Sequence, residues 1–520
     1  MQFHSLTVDK LLDHAAKWCG QQQVVSASFG RITYAELRQR SNLLSGALSA
    51  IGLDPGDRVG TLAWNTQHHL EMYFGTMGMG LVCHTLNPRL TPAHLAAMLC
   101  EAEDRAIAVA ADLIPLWAQI APHCPTVEHV IVLDSTVSLN TLQDPMRRFW
   151  NYETLLASHG KPSAWGGFDE NTPAGLCYTS GTTGKPKGVL YTHRSNYLHM
   201  LRSLQADAIA LTGADSILLA VPMFHANAWA FPFAAPAVGA KLVLPGRALD
   251  GAHLTRLIRE EGVTIAAGVH TIWQGVLDYL DAEGGDVPTL ERILIGGASC
   301  PEVVLERMQD RLKVQVQTSW GMTELSPLGT ISPARRTGPA IASGRPPLGL
   351  DLKLTDASGA TLPQQRNVMG HLKVKGASVV DRYFGSTVDV LDAEGYFDTG
   401  DLASIDDDGN LSICGRSKDL IKSGGEWINP AEIEAVIGGL PGVGLVAVIG
   451  KSDLKWGERP VLVVEPQKNH TLDEKALLHA LRGKVADWWI PDAVIQVKAM
   501  PLAPTGKIDK IRLREDYAKT

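Results

Sequence analysis

The chain has 520 residues, 45% of them hydrophobic and 20% charged, which predicts a folded protein of more than one domain and excludes a disordered chain. Its formal net charge of −8 argues against nucleic acid or an anionic lipid surface as the main partner, while leaving room for a local basic pocket. Seven scattered cysteines without a CxxC pair read as reduced thiols of a cytoplasmic protein, not as a disulfide framework or a zinc site.

Residues 1–10 lack the basic-then-apolar order of a secretory signal. Beyond them, short apolar runs alternate with amphipathic segments and no repeat appears, as in α/β proteins. Three apolar runs lead straight into glycine-rich turns: 174–178 before 179–184, 293–295 before 296–297, and 314–316 before 319–321. Loops at the carboxyl ends of such strands bind ligands, so the three turns are expected to wall one site. The stretch 216–240 carries no charge, but His225, Asn227, Pro222, Pro232 and Pro236 mark it as buried, irregular pocket lining and not a membrane span.

From Val368 onward, short β-like runs at 371–375 and 411–414, separated by the turn at 406–409, predict a small barrel-like part. After Arg416 the pattern reads helix (431–437), strand (444–449), strand (460–464), helix (473–486), strand (494–497), which is a compact α+β unit. The expected domains are therefore 1–416 and 417–520.

Segment 178–189, Tyr-Thr-Ser-Gly-Thr-Thr-Gly-Lys-Pro-Lys-Gly-Val, packs hydroxyls, glycines and two lysines into a loop after a strand. Such a loop can aim backbone N–H groups and a lysine at phosphate oxygens. It is not a Walker A loop, because Pro186 follows Lys185 where a magnesium-binding Ser or Thr would be needed. The string resembles the phosphate loop of the acyl-activating, adenylate-forming superfamily. Further segments are similar to that family's motifs in the family's order: 221–225 (acyl pocket), 317–324 (adenine and magnesium), 396–401 (ribose), 415–419 (hinge) and 504–507 (mobile lysine). The resemblance spans nearly the whole chain. It implies a large N-terminal domain of layered α/β subdomains plus the barrel-like part, and a small mobile α+β C-terminal domain.

The resemblance also implies roles. Thr179, Ser180, Gly181, Thr182, Thr183, Gly184 and Lys187 would hold the β- and γ-phosphates of ATP, and Thr179 with Glu324 would face Mg2+. Ser319, Trp320, Gly321, Met322 and Thr323 would form the adenine site, with Trp320 stacking on the base and Gly296, Gly297, Ala298 and Ser299 letting the backbone approach. Asp401 would accept hydrogen bonds from the ribose hydroxyls, with Arg416 as a charge-assisted donor. Lys507 would bridge the substrate carboxylate and the α-phosphate. His225 would gate the acyl pocket, with Trp229 lining it. Lys418 is the hinge residue, and Gly424, Gly425, Glu426 and Trp427 would line the pantetheine tunnel for coenzyme A. One departure from the family pattern is His371, where an acidic residue is common; that segment reads as structural.

The implied activity is ATP-dependent acyl-CoA ligation, with a carboxylic acid, ATP and CoA as partners and a homodimer as one compatible assembly. Alternatives are a luciferase-like oxygenase and an adenylate-binding sensor. A peptide-synthetase module would need a carrier domain, and no room for one is expected after Lys507. Segments 58–65, 83–90 and 418–427 look like a bacterial branch that includes medium- and long-chain fatty acyl-CoA ligases and 3-(methylthio)propanoate ligases. Trp229, Phe231 and Phe233, if they face the pocket, would shorten it to a short- or medium-chain acid; an open tunnel would admit long chains.

Overall fold

Strands buried at every position, such as Val82–Thr85, Ala106–Val109, His129–Val132 and Ile265–Gly268, set the architecture, because such runs must be covered on both faces. The computed structural model describes residues 1–2, 4–133, 142, 144–179, 186–297, 300–334, 343–424, 426–467, 470–503 and 508–518. Among the described residues the strands build four sheets. One has seven strands, in the order Arg148–Asn151, His129–Val132, Ala106–Val109, Arg58–Leu62, Val82–Thr85, Pro173–Thr179, Lys187–Thr192, and only the last pair is antiparallel. A second has eight, running from Leu328–Ile331 through Gln315–Gly321, Arg292–Ile295, Ile265–Gly268, Ser216–Leu219, Lys241–Leu244 and Gln23–Ser26 to Gly30–Thr33, antiparallel only at its two ends. One apolar cluster joins Cys83 of the first sheet to Leu242 and Leu294 of the second through Leu12, Tyr73, Phe74 and Phe231. Each such buried side chain adds roughly 1.5–3 kcal/mol.

The expected barrel-like part is corrected to a four-stranded antiparallel sheet, Leu350–Thr355, Met369–Gly376, Phe397–Ile405 and Leu411–Arg416, that begins well before Val368. Its apolar face does not need to close on itself, because Trp320 and Leu325 of the large domain fill it. A single 3-10 turn, Ser417–Asp419, then leads into the small domain. There Glu426–Ile428, Ile421–Ser423, Gly457–Pro466 and Val443–Asp453 form a sheet, with Ala493–Gln496 added in parallel and helix Pro430–Gly438 packed beside it. The predicted order is found. The two central strands are longer than expected because they form one continuous hairpin, and the second helix is shorter, Glu474–Ala480, because Gly483 turns the chain at φ +72°.

The fold is therefore a large N-terminal α/β domain followed by a small C-terminal α+β domain. The uncharged stretch folds as a buried strand, Ser216–Leu219, an irregular turn and a short helix, Phe231–Val238. Among the described residues no helix is long and apolar enough to cross a membrane. All seven cysteines are free thiols.

Candidate active site

Thr179, Gly296 and Gly297, and Ser319–Gly321, at the carboxyl ends of three strands, meet at a cavity of about 540 Å³. Thr179 ends the strand Pro173–Thr179, Gly296 and Gly297 follow Arg292–Ile295, and Ser319–Gly321 belong to the end of Gln315–Gly321, which is strand where a turn was expected. Thr179, Lys187, Glu324, Tyr383, Arg416 and Lys418 supply the polar wall. Ile209, Phe231, Leu294, Leu328 and Ile331 supply an apolar wall, and all five belong to the central apolar cluster. His225, Trp229, Met322 and Thr323 complete the lining.

Trp229 owes its place to an unusual backbone. Ala226, Asn227, Ala228, Trp229 and Ala230 all have positive φ, between 43° and 64°, a left-handed turn that costs L-residues roughly 1–2 kcal/mol each. The chain before it is pinned: Asn65 donates to Leu219 O and Val221 O at 2.8 and 2.7 Å and accepts the Met223 N–H at 2.7 Å. The turn lays the Trp229 ring against Gly296, where a Cβ would lie 3.1 Å from the ring and 2.6 Å from Ser319 Oγ. Any side chain at Gly296 would crowd Ser319 Oγ and the indole. Phe231 lines the cavity, but Phe233 does not: fully buried, it packs against Tyr73 and Phe74 with ring centroids 6.1 and 6.0 Å away. Only two of the three aromatics expected to shorten the pocket can do so.

At the polar wall, burial raises the Glu324 carboxyl above its ordinary value, against the lowering pull of the Tyr383 hydroxyl, which donates to Oε1 at 2.9 Å, and of the Arg416 and Lys187 charges. Lys187 Nζ sits 4.7 Å above the Tyr383 ring. Burial also lowers Lys418, helped by Arg416 and Arg514. A carboxylate with free lone pairs and the Thr179 hydroxyl in the same wall are a donor set that fits magnesium, which takes its remaining ligands from phosphate and water.

Asp401 is 2% exposed and sits behind the wall formed by Asp398, Thr399 and Gly400. Its Oδ1 pairs with Arg416 Nε at 2.7 Å and its Oδ2 accepts the Trp320 indole N–H at 2.9 Å. Trp320 in turn buries most of its ring in the cluster of the small antiparallel sheet, over Gly329, where any side chain would run into it. The expected stacking residue is therefore largely a core residue that shows the cavity part of its surface. Trp427 is 51% exposed, with Lys422 Nζ 5.4 Å above its ring, and stands apart from this wall. Ser180, Gly181, Thr182, Thr183, Gly184, Ala298, Ser299, Gly425 and Lys507 lie outside the described residues. Tyr383 belongs to the site without any motif signal, because it sits in an irregular stretch and reaches Glu324 only through the fold.

A family model described as AMP-binding enzyme matches residues 11–384, and one described as AMP-binding enzyme C-terminal domain matches residues 432–507. The chain is 41% identical to a medium-chain-fatty-acid–CoA ligase of Ectopseudomonas oleovorans, over 99% of this chain and 97% of that one. It is 42% identical to a 3-methylmercaptopropionyl-CoA ligase of Ruegeria pomeroyi, over 99% and 98% of the two chains. Among solved structures it is similar to ATP-bound MatB from Rhodopseudomonas palustris, with a TM-score of 0.87, 27% identity and 99% of both chains covered.

Proposed function

The chain belongs to the AMP-binding enzyme family, and on that premise we propose that it is an ATP-dependent acyl-CoA ligase for short- to medium-chain aliphatic acids, 3-(methylthio)propanoate included. The observation that carries this reading is the two-part lining of the cavity: cationic and hydroxyl groups with one buried carboxylate, and a set of apolar side chains that belong to one cluster. An acyl-adenylate has that same division.

In the first half-reaction a carboxylate oxygen of the acid attacks the α-phosphorus of ATP, a P–O bond forms, and the bond to the bridging oxygen breaks to release pyrophosphate. Lys187 and Thr179, which line the cavity, would hold the leaving phosphates, and Arg416 would offer its charge to ribose or phosphate. Glu324 and Thr179 would hold magnesium, which neutralises phosphate charge when bound. Asp401, buried behind the wall and holding both Arg416 and Trp320, would orient those two side chains toward the nucleotide. In the second half-reaction the CoA thiol, losing its proton, attacks the acyl carbonyl and AMP leaves.

His225 and Trp229 line the same cavity as the apolar side chains, so they would contact the acid's chain. An aliphatic pocket gains roughly 0.8 kcal/mol per methylene, about fourfold in kcat/KM per carbon, until its floor is met. Straight-chain acids should therefore climb in efficiency and then fall abruptly at short or medium length. In Trp229→Ala the maximum should move to longer acids. A wild-type maximum at long-chain acids, or no movement in the variant, refutes the short pocket.

A further inference from the structure

Three buried side chains that the mechanism leaves unused grip the loop between Gln315–Gly321 and Leu328–Ile331. All come from one strand–helix unit: Lys187–Thr192, the strand that follows the phosphate-loop segment, and His193–Ser203, a helix started by a capping box between Thr192 and Ser195. Tyr191, 2% exposed, donates its hydroxyl to Thr323 O at 2.7 Å. His199, fully buried, accepts the Leu328 N–H on Nε2 at 3.0 Å. Arg202, 4% exposed, donates to Leu328 O at 2.6 Å, Leu325 O at 3.3 Å and Ser378 Oγ at 2.6 Å. His199 and Arg202 stand three apart and so share one helix face.

The cost of this arrangement points to its purpose. The hydrogen-bond partners of Arg202 are two carbonyls and a hydroxyl, so a guanidinium has been buried against neutral groups, which is expensive. Burial lowers it to about 10, still charged at neutral pH. An apolar side chain would give cohesion at less cost but could not hold two carbonyls at fixed positions. The gripped loop is short and strained, one 3-10 turn, Thr323–Leu325, followed by Ser326 at φ +74°. It carries Glu324 and Leu328, one in the polar wall of the cavity and one in the apolar wall.

We propose that Tyr191, His199 and Arg202 are positioning residues that fix the Glu324 carboxylate and the Leu328 wall relative to the phosphate-binding strand. Tyr191 acts on the magnesium–ATP end, His199 on the acyl end, and Arg202 on both. The proposal rests on the ligase reading for its acyl arm only.

Two measurements test it on the full chain: ATP binding followed by melting shift with and without Mg2+, and acid-dependent pyrophosphate release across straight-chain acids. Tyr191→Phe and Arg202→Met should weaken Mg2+-dependent ATP binding roughly fivefold to tenfold, as loss of a hydrogen bond to a positioned group does, and leave Mg2+-free binding unchanged. His199→Leu should keep ATP binding but flatten the chain-length profile, and His199→Gln, which restores an acceptor, should recover it. Arg202→Met should alter both readouts. Variants that melt earlier yet keep the wild-type Mg2+ dependence and chain-length profile would reduce the three residues to plain core and overturn the proposal. Should Arg202→Met fail to fold, Tyr191→Phe decides alone, because it removes a single oxygen. Absence of pyrophosphate release in the wild type would sink the ligase reading, while the melting arm still judges the grip on Glu324.

Discussion

At Ala230 the backbone has φ +64°, the last of five consecutive left-handed residues around the Trp229 ring. Alanine is the best right-handed helix former, so nothing in the segment 226–230 announces this turn; it is imposed by what surrounds it, chiefly the Asn65 bonds and the docking of the indole on Gly296. That gives a test at the level of one methyl group. Ala230→Gly should remove a steric cost of about 1 kcal/mol and add roughly 0.5–1 kcal/mol of unfolded-state entropy, so it should be nearly neutral or slightly stabilising. Ala118→Gly, on the exposed side of the right-handed helix Ile114–Ile120, lacks the first effect and should cost about 1 kcal/mol. Denaturant midpoints of the two variants compare them directly. Equal losses would mean that the left-handed turn is not strained.

Elements that deliver residues to the site were readable because each has its own local sign. An apolar run followed by glycines placed the ends of Pro173–Thr179 and Arg292–Ile295, and the helix and strand order of the small domain followed from periodicity. The small antiparallel sheet reads as barrel-like in sequence because closure depends on partners elsewhere in the chain, here Trp320 and Leu325. The turn Ser417–Asp419 follows the small antiparallel sheet, and Ser417 Oγ lies 3.1 Å from His371 Nδ1, which gives the family departure at His371 a structural contact beside that turn. If this turn is the hinge, Lys418→Pro, which fixes φ, should spare acid-dependent pyrophosphate release and slow thioester formation by tenfold or so. Lys418→Ala separates stiffness from charge, because Lys418 also lines the cavity: it should leave thioester formation faster than the proline variant does. Unchanged thioesterification in Lys418→Pro would place the hinge elsewhere.

For the whole molecule, the site is assembled from both large sheets, the small antiparallel sheet and the turn Ser417–Asp419, so motifs far apart in sequence each supply one piece. Tyr383, Tyr191, His199 and Arg202 carry no sequence signal because their contacts are long-range. Lys507 lies outside the described residues, but Leu502 and Ile508 on either side of its segment form a bridge, and the helix that follows, Lys510–Tyr517, ties Arg514 to Asp419 of the turn Ser417–Asp419 at 2.7 Å. Lys510 also pairs with Glu434 on the helix Pro430–Gly438 at 2.6 Å. The Lys510–Glu434 pair ties the helix after residue 508 to the small domain, and the Arg514–Asp419 pair ties it to the turn before that domain. A lysine needed to bridge the substrate carboxylate and the α-phosphate has no such task once the adenylate exists. Lys507→Ala should accordingly lose acid-dependent pyrophosphate release by two orders of magnitude or more, roughly the cost of deleting one preorganised electrostatic group, yet still convert supplied acyl-adenylate and CoA to thioester at near wild-type rate. Measured side by side, equal losses in the two half-reactions would rule out a small domain that presents different faces to the two steps.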